Sequence, residues 1–443
     1  MIKIIKAGDF RKEKKIKKTA APEIVEAVAA IIDNVINLGD TALYDYTERF
    51  DGCTLKNFEL PKAAIDAAVR SADKEFIKVM ERAAKNIEDY HRYQVRRGYD
   101  IPPKNGVTLG QKIVPIEKVG LYIPGGTAPY PSSVLMNCIP AKIAGVSEII
   151  LVTPPSKATN TGDTVNGVAN VNGVANVNGV DVNILAAAKI AGADRVFTLG
   201  GAQAIAALAY GTESVPRVDK ITGPGNAYVA EAKRQVFGAV GIDMIAGPSD
   251  ILIIADGNAD PALIAVDMLS QCEHGPDSPA VLITTGATLA NKVAAEIKAQ
   301  LASLPRAAIA REAIKNHGMI IITDSIPQAF NISNEIAPEH LEVYLEEPFS
   351  HLDKIKNAGS VFLGSNTPEA LGDYYAGPNH TLPTSGTSRF SGPLSVDDFT
   401  KKISYTHYNE KALQEAGDDV IQFAEREGFT AHALSVSKRI KNK

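Results

Sequence analysis

Four separated stretches of this chain carry side chains that can bind a metal, move a proton, or do both. In the first, Asp267-Met268-Leu269-Ser270-Gln271-Cys272-Glu273-His274 runs into Gly275-Pro276. That dipeptide stops a helix, and Gln271 and His274, three apart, share a face of its last turn. Such a pair can ligate a metal, and it is also an ordinary capping or surface arrangement. The second stretch, Ala337-Pro338-Glu339-His340-Leu341-Glu342, sets an acid beside an imidazole after a proline that fixes the local backbone. With ordinary pKa values of about 4 and about 6.5, both can act as general bases at neutral pH. Two exposed polar residues of a loop would look the same. The third, Gly372-Asp373-Tyr374-Tyr375-Ala376-Gly377-Pro378-Asn379-His380, has the composition of a rigid loop. Loops after strands are where α/β proteins place their sites. In the fourth, Glu427-Gly428-Phe429-Thr430-Ala431-His432, Gly428 ends one helix and Thr430 can cap the next. A lone histidine in such a helix is otherwise structural or exposed.

Three Gly-rich turns follow apolar runs: Pro124-Gly125-Gly126-Thr127, Gly200-Gly201-Ala202-Gln203 and Gly223-Pro224-Gly225-Asn226. None has the Gly-x-Gly-x-x-Gly spacing of the common dinucleotide fingerprint. Each can nevertheless aim backbone N–H groups at an anion from a helix start, and together they point to nucleotide binding.

The elements that must hold these groups alternate. Val119–Ile123, Glu148–Val152, Arg195–Leu199, Ile251–Ile254, Ala280–Ile283 and Met319–Ile322 are short apolar runs separated by Ala-rich helical segments. Continuous apolar strands spaced by helices indicate parallel sheets covered on both faces. The expected fold is α/β, with two Rossmann-like doubly wound units, a short N-terminal arm and a small C-terminal helical tail. Pro22 opens a helix with an apolar stripe from Ile24 to Ile36 and Gly39 beyond its end, and a long helix is expected from about Lys62 to Arg97. Near-copies of Val-Asn-Gly-Val-Ala-Asn at Val165–Asn170 and Val171–Asn176 are too few to stack as a solenoid, and they read as an inserted mobile loop. The tail reads as a short strand, Lys402–Tyr405, and two helices, too little to form a core alone.

The chain is 443 residues long with 45% hydrophobic and 22% charged residues. That is enough for more than one domain and unlike a disordered or fibrous composition. A net charge of −5 gives no electrostatic reason to expect nucleic acid or an anionic membrane. No long apolar span appears, and the basic segment Lys3–Lys18 lacks the apolar stretch of a signal peptide, so it reads as a solvated arm. Three scattered cysteines, Cys53, Cys138 and Cys272, do not make a disulfide framework and suit a reducing cytoplasm.

Taken in order, these stretches resemble histidinol dehydrogenase from about residue 20 to 440, leaving out the repeat. The most specific strings are Val119–Gly126, Gly200–Ala206, Gly223–Tyr228, Ser270–Ser278 and Ala337–Glu342. The resemblance implies oxidation of L-histidinol to L-histidine by two hydride transfers to NAD, through a bound aldehyde, as the closing steps of histidine biosynthesis. It implies Gln271, His274, Asp373 and His432 as ligands of one Zn2+ per subunit, and Glu339 and His340 as the catalytic pair. Substrate contacts fall on Ser249, Gln271, His274, His340, Asp373, Glu427 and His432, with His380 a further one. NAD contacts fall on Tyr122, Gln203 and Asn226. It also implies a homodimer whose tail completes the neighbouring subunit's site. The domains expected on this basis are an arm at 1–20, a split catalytic domain at 21–121 with 253–394, an NAD domain at 122–252 with the insertion near 156–182, and an exchanged tail at 395–443.

Two imidazoles, one carboxylate and one amide oxygen form the borderline N/O set that suits zinc. A zinc hydrolase using Glu339 as base would account for the ligands and leave the three Gly-rich turns idle. A scaffold that keeps the fold alone would not need the ligand and catalytic positions, all of which carry the expected residue type.

Overall fold

Short β-branched runs, each followed by a turn and a helix, build two parallel sheets wound in the same way. The computed structural model describes residues 2–13, 21–125, 129–155, 164–165, 168–171, 174–177 and 179–440. The first sheet runs Arg195–Thr198, Glu148–Thr153, Lys118–Tyr122, Lys220–Thr222, Gly241–Ile242 across its width. The second runs Lys3–Lys6, Gly318–Ile322, Ala280–Thr284, Ile251–Ala255, His340–Tyr344, Ser360–Leu363. The first begins in the middle with Lys118–Tyr122, winds to one edge and crosses back to the other side; the second does the same from Ile251–Ala255, with Lys3–Lys6 added earlier in the chain as its edge strand. The doubly wound expectation therefore holds for both units. Ile251–Ala255 is buried at every position, as a strand covered on both faces must be.

The helices assort with the sheets differently from the expected domains. Pro22–Leu38 ends at Gly39, whose φ is +53°, and packs on the helices Gly201–Tyr210 and Ala227–Val236, burying Val28, Ile31, Ile32 and Val35 in the core that Ile150 and Phe197 of the first sheet share. Each such side chain contributes about 1.5–3 kcal/mol. On the other face of that sheet, Lys62–Ser71 and Lys74–Arg92 pack on the helices Pro131–Ala144 and Val182–Ala191, adding Ala68, Met80 and Ile87 to the core those helices share with the strands. Residues 21–92 thus belong to the cores of the first sheet and not, as the split domain assumed, to the second. The single helix expected from Lys62 to Arg97 is broken at Ala72-Asp73. There the Asp73 carboxylate accepts hydrogen bonds from the N–H of Glu75 at 2.8 Å and of Phe76, and starts a new helix.

Three further expectations change. The N-terminal arm is not wholly solvated: Lys3–Lys6 pairs with Met319–Ile322 as the edge strand of the second sheet, and the helix Ala7–Glu13 buries Phe10. The described part of the repeat is a four-stranded antiparallel meander, Thr164–Val165, Val168–Val171, Val174–Val177, Val180–Asp181. Val171 pairs with Val174 and Val177 with Val180, so two residues, Asn-Gly each time, join successive strands. That is the loop length and sequence that favours a tight hairpin. Val177 and Val180 enter the first core. The tail strand is longer than expected, Thr400–Tyr408, and pairs antiparallel with Val107–Pro115, which pairs with Tyr99–Lys104. The helices Glu410–Arg426 and Thr430–Ser437 follow.

Candidate active site

The acid and imidazole of the second stretch meet another acid at the start of a neighbouring strand. Asp250 immediately precedes Ile251–Ala255, Glu339 immediately precedes His340–Tyr344, and Ile251 lies in register with His340. Register therefore forces Asp250 and Glu339 side by side. The Glu339 N–H donates to Asp250 Oδ1 at 2.9 Å, and the Asp250 N–H donates to Glu339 Oε2 at 2.9 Å. The Ser249 hydroxyl adds a further bond to the Glu339 carboxylate. His340 Nδ1 lies 2.9 Å from the Asp250 carbonyl, which can only accept, so Nδ1 carries the proton and Nε2 keeps the lone pair. These bases stand at the N-terminal edge of the second sheet, ahead of its strands rather than after them.

Among the described residues His340 Nε2 is buried without a hydrogen-bond partner, 3.9 Å from Asp373 Oδ1. Gln271, at the end of the helix Pro261–Cys272, lies with its amide nitrogen 3.1 Å from His340 Nδ1, and its Oε1 is likewise buried and unpartnered. Beside them one donor atom each of His274, Glu369 and Asp373 lie within 4.8 Å of one another. Glu369 and Asp373 are four apart on the short helix Glu369–Tyr374 and so face the same way. Glu369 went unnoticed in the sequence, although its spacing from Asp373 was the available signal. Asp250 had no local signal, since only strand register brings it to Glu339.

Buried acids without counter-charge dominate the electrostatics. Burial, reinforced by the Asp250 charge, holds the Glu339 carboxyl well above its usual range. Burial likewise pushes Asp373 up to about 6, and burial with acidic neighbours pushes Glu369 and Glu342 up to about 9. Burial pushes His340 and His380 down to about 4, leaving both imidazoles neutral. Crowded acids, a neutral imidazole at His274 and an orphaned amide oxygen at Gln271 are the donor chemistry a divalent cation satisfies. The residues present therefore fit zinc.

His380, expected as a further substrate contact, is largely buried and hydrogen-bonded at both ring nitrogens. Its Nδ1 donates to the Asp373 carbonyl at 2.8 Å, and its Nε2 accepts from the Ser133 hydroxyl at 3.2 Å. Ser133 lies in the first turn of the helix Pro131–Ala144 of the first unit. On that helix, Asn137 donates to Thr381 at 3.2 Å and accepts from Thr222 at 2.9 Å, while Asn379 donates to the Met136 carbonyl at 2.6 Å. The Asp373–His380 loop is thereby fastened across the two units.

Tyr122, Gln203 and Asn226 gather at the C-terminal edge of the first sheet. Lys118–Tyr122 and Lys220–Thr222 are neighbours there at the switch point, where such sheets open a ligand crevice. The Tyr122 hydroxyl accepts from the Gly201 N–H at 3.1 Å, and burial pushes its pKa up to about 12. Gln203 is 1% exposed, and its Oε1 has no partner among the described residues. Asn226 caps Ala227–Val236, accepting from Tyr228 N and Val229 N. Gly126 and Thr127 of the first Gly-rich turn lie outside the described residues.

Glu427 and His432 are not brought to this cluster. Both are exposed on the tail, and among the described residues no hydrogen bond or ion pair joins either to it.

A family model described as histidinol dehydrogenase matches residues 14–181 and 164–440, the two segments overlapping across the repeat. A histidinol dehydrogenase of Clostridium acetobutylicum is 51% identical over 97% of this chain and 95% of its own length. One from Listeria innocua is 50% identical over 95% of this chain and 94% of its own. The crystal structure of histidinol dehydrogenase from Elizabethkingia anophelis superimposes with a TM-score of 0.88 at 37% identity, covering 99% of this chain and 98% of that one.

Proposed function

The chain belongs to the histidinol dehydrogenase family, and on that premise we propose that it oxidises L-histidinol to L-histidine in two NAD-linked steps, through a bound aldehyde, at the end of histidine biosynthesis. The observation that carries this reading is the buried junction of Glu339, His340 and Asp250 facing the donor atoms of Gln271, His274 and Asp373. Gln271, His274 and Asp373 would hold zinc, with His432 of the partner subunit as fourth ligand. Bound zinc would fix the imidazole and amine of the substrate and draw the neighbouring carboxyls back toward their charged forms, while bound NAD would accept hydride.

The protein's own groups divide the remaining work. His340, neutral and with Nε2 free, takes the hydroxyl proton as the first hydride leaves carbon. Its Nδ1–H, fixed on the Asp250 carbonyl, keeps that lone pair aimed at the site. Glu339, held by Asp250 N and Ser249, takes a proton from water as that water adds to the aldehyde. The hydrate so formed is the substrate of the second oxidation. Ser249, Glu427 of the partner subunit and the Asp373–His380 loop would frame the substrate. Tyr122, Gln203 and Asn226 would frame the dinucleotide.

A homodimer with exchanged tails accounts for the exposure of His432 and Glu427. It also accounts for Val420, Phe423, Phe429 and Leu434, which the tail leaves 45%, 70%, 52% and 49% exposed. Cys53, Cys138 and Cys272, all buried and none in a disulfide among the described residues, support a reducing, cytoplasmic setting. Metal analysis paired with histidinol-dependent NADH formation, before and after chelation, tests the reading. One zinc per subunit and activity restored by zinc are expected. Full activity in metal-free protein would defeat the zinc assignment, and NADH formation that ignores histidinol would defeat the substrate.

A further inference from the structure

A charged pair outside the catalytic cluster has no part in the chemistry above and is almost sealed from water. Lys233, in the last turn of Ala227–Val236, is ion-paired with Asp243, just beyond Gly241–Ile242, with side chains 2% and 1% exposed. Removing two such charges from water costs more than a well-filled apolar contact at the same place would, so stability alone does not explain them.

What the pair touches does explain them. Lys233 Nζ donates to the Gly223 carbonyl at 2.9 Å, and the Gly223 N–H donates to Asp243 Oδ2 at 2.8 Å. Both polar groups of one residue are thus held by the two halves of one ion pair. Gly223 has φ +112°, and a Cβ there would lie 2.0 Å from the Tyr122 carbonyl oxygen. It is therefore pressed against one side of the switch-point crevice while starting the turn that delivers Asn226 on the other side. A shift of Gly223 moves both sides at once.

We propose that Lys233 and Asp243 are positioning residues for the dinucleotide, setting its affinity by locking the Gly223–Asn226 turn against Tyr122. This rests on the reading that Tyr122 and Asn226 meet NAD.

The test compares wild type with two paired variants, Lys233→Met/Asp243→Leu and the milder Lys233→Met/Asp243→Asn, each checked for a cooperative thermal transition. Removing both charges avoids the penalty of stranding one. The expected result in the Met/Leu variant is a KM for NAD raised about tenfold, the scale of one well-placed contact, with KM for histidinol within about twofold. The Met/Asn variant, which keeps an acceptor for the Gly223 N–H, should fall between. Asn226→Ala is assayed alongside. If Asn226→Ala raises KM for NAD and the folded paired variants do not, the positioning role is wrong. If none of the three raises it, the underlying assignment of the crevice falls too. Loss of the thermal transition in both paired variants would assign the pair to stability alone and overturn the proposal.

Discussion

Glu342 is fully buried two residues beyond His340, and nothing in the reaction uses it. Its Oε1 accepts from the Glu369 N–H at 2.8 Å, its side chain meets Asp267, and its Oε2 has no partner. Burial, with Asp267 and Glu369 adding to it, pushes its pKa from 4.5 to about 9. Such an acid keeps its proton in the folded chain and releases it on unfolding. Its contribution is therefore greatest below 4.5 and is lost as pH rises toward about 9, at about 1.4 kcal/mol per pH unit. Between about pH 5.5 and about pH 8 the wild type should lose about 3 kcal/mol on this account. In Glu342→Gln the amide oxygen keeps the bond from Glu369 N, and a group that is always neutral has no proton to release. Urea unfolding of the metal-free protein across that range should show a shallower decline for the variant, which becomes the more stable of the two at the alkaline end. Parallel curves, or a variant weaker by the same amount at every pH, would refute the argument.

Glu339→Gln keeps an oxygen for the Asp250 N–H, so the chain should fold. Oxidation of histidinaldehyde should fall by about 10²–10⁴, the usual worth of a general base, while the first oxidation falls far less; equal losses in the two half-reactions would remove Glu339 from that role. Asp250→Asn deletes the charge that helps to raise Glu339 but retains an acceptor for its N–H, so the acid limb of the second oxidation should move to lower pH, and an unmoved limb would count against the charge. Mixing inactive His432→Ala chains with inactive His274→Ala chains should regain activity if tails are exchanged, because one site per mixed dimer is then intact; verified mixed dimers without activity would rule exchange out.

Much of the architecture was legible because a strand covered on both faces must be continuously apolar. Val119–Ile123, Glu148–Val152 and Ile251–Ile254 announce themselves in that way. The edge strand Lys3–Lys6 does not, since an edge needs apolar cover less and tolerates lysines. The break at Ala72-Asp73 was hidden by an apolar stripe that continues through it, although Asp73 is a good helix cap. The repeat's antiparallel strands are spaced by Asn-Gly pairs that the sequence shows plainly, while its low complexity resembles that of a loop. At the site, residues with chemistry of their own, such as Glu339, His340 and Asp373, could be read locally. Asp250, Ser133 and Asn137 matter only through what register and helix packing set beside them.

The meander of the repeat also sets a rule for how its length can change. Each six-residue unit, with its one strand, reverses the direction of the chain. Losing or gaining one unit would deliver the chain to the wrong end of the small sheet, away from Val180 and the helix that follows it. Losing or gaining two would bring it back running in the same direction. Viable length variants of this segment should therefore differ by an even number of units, a parity constraint that a structureless loop would not impose.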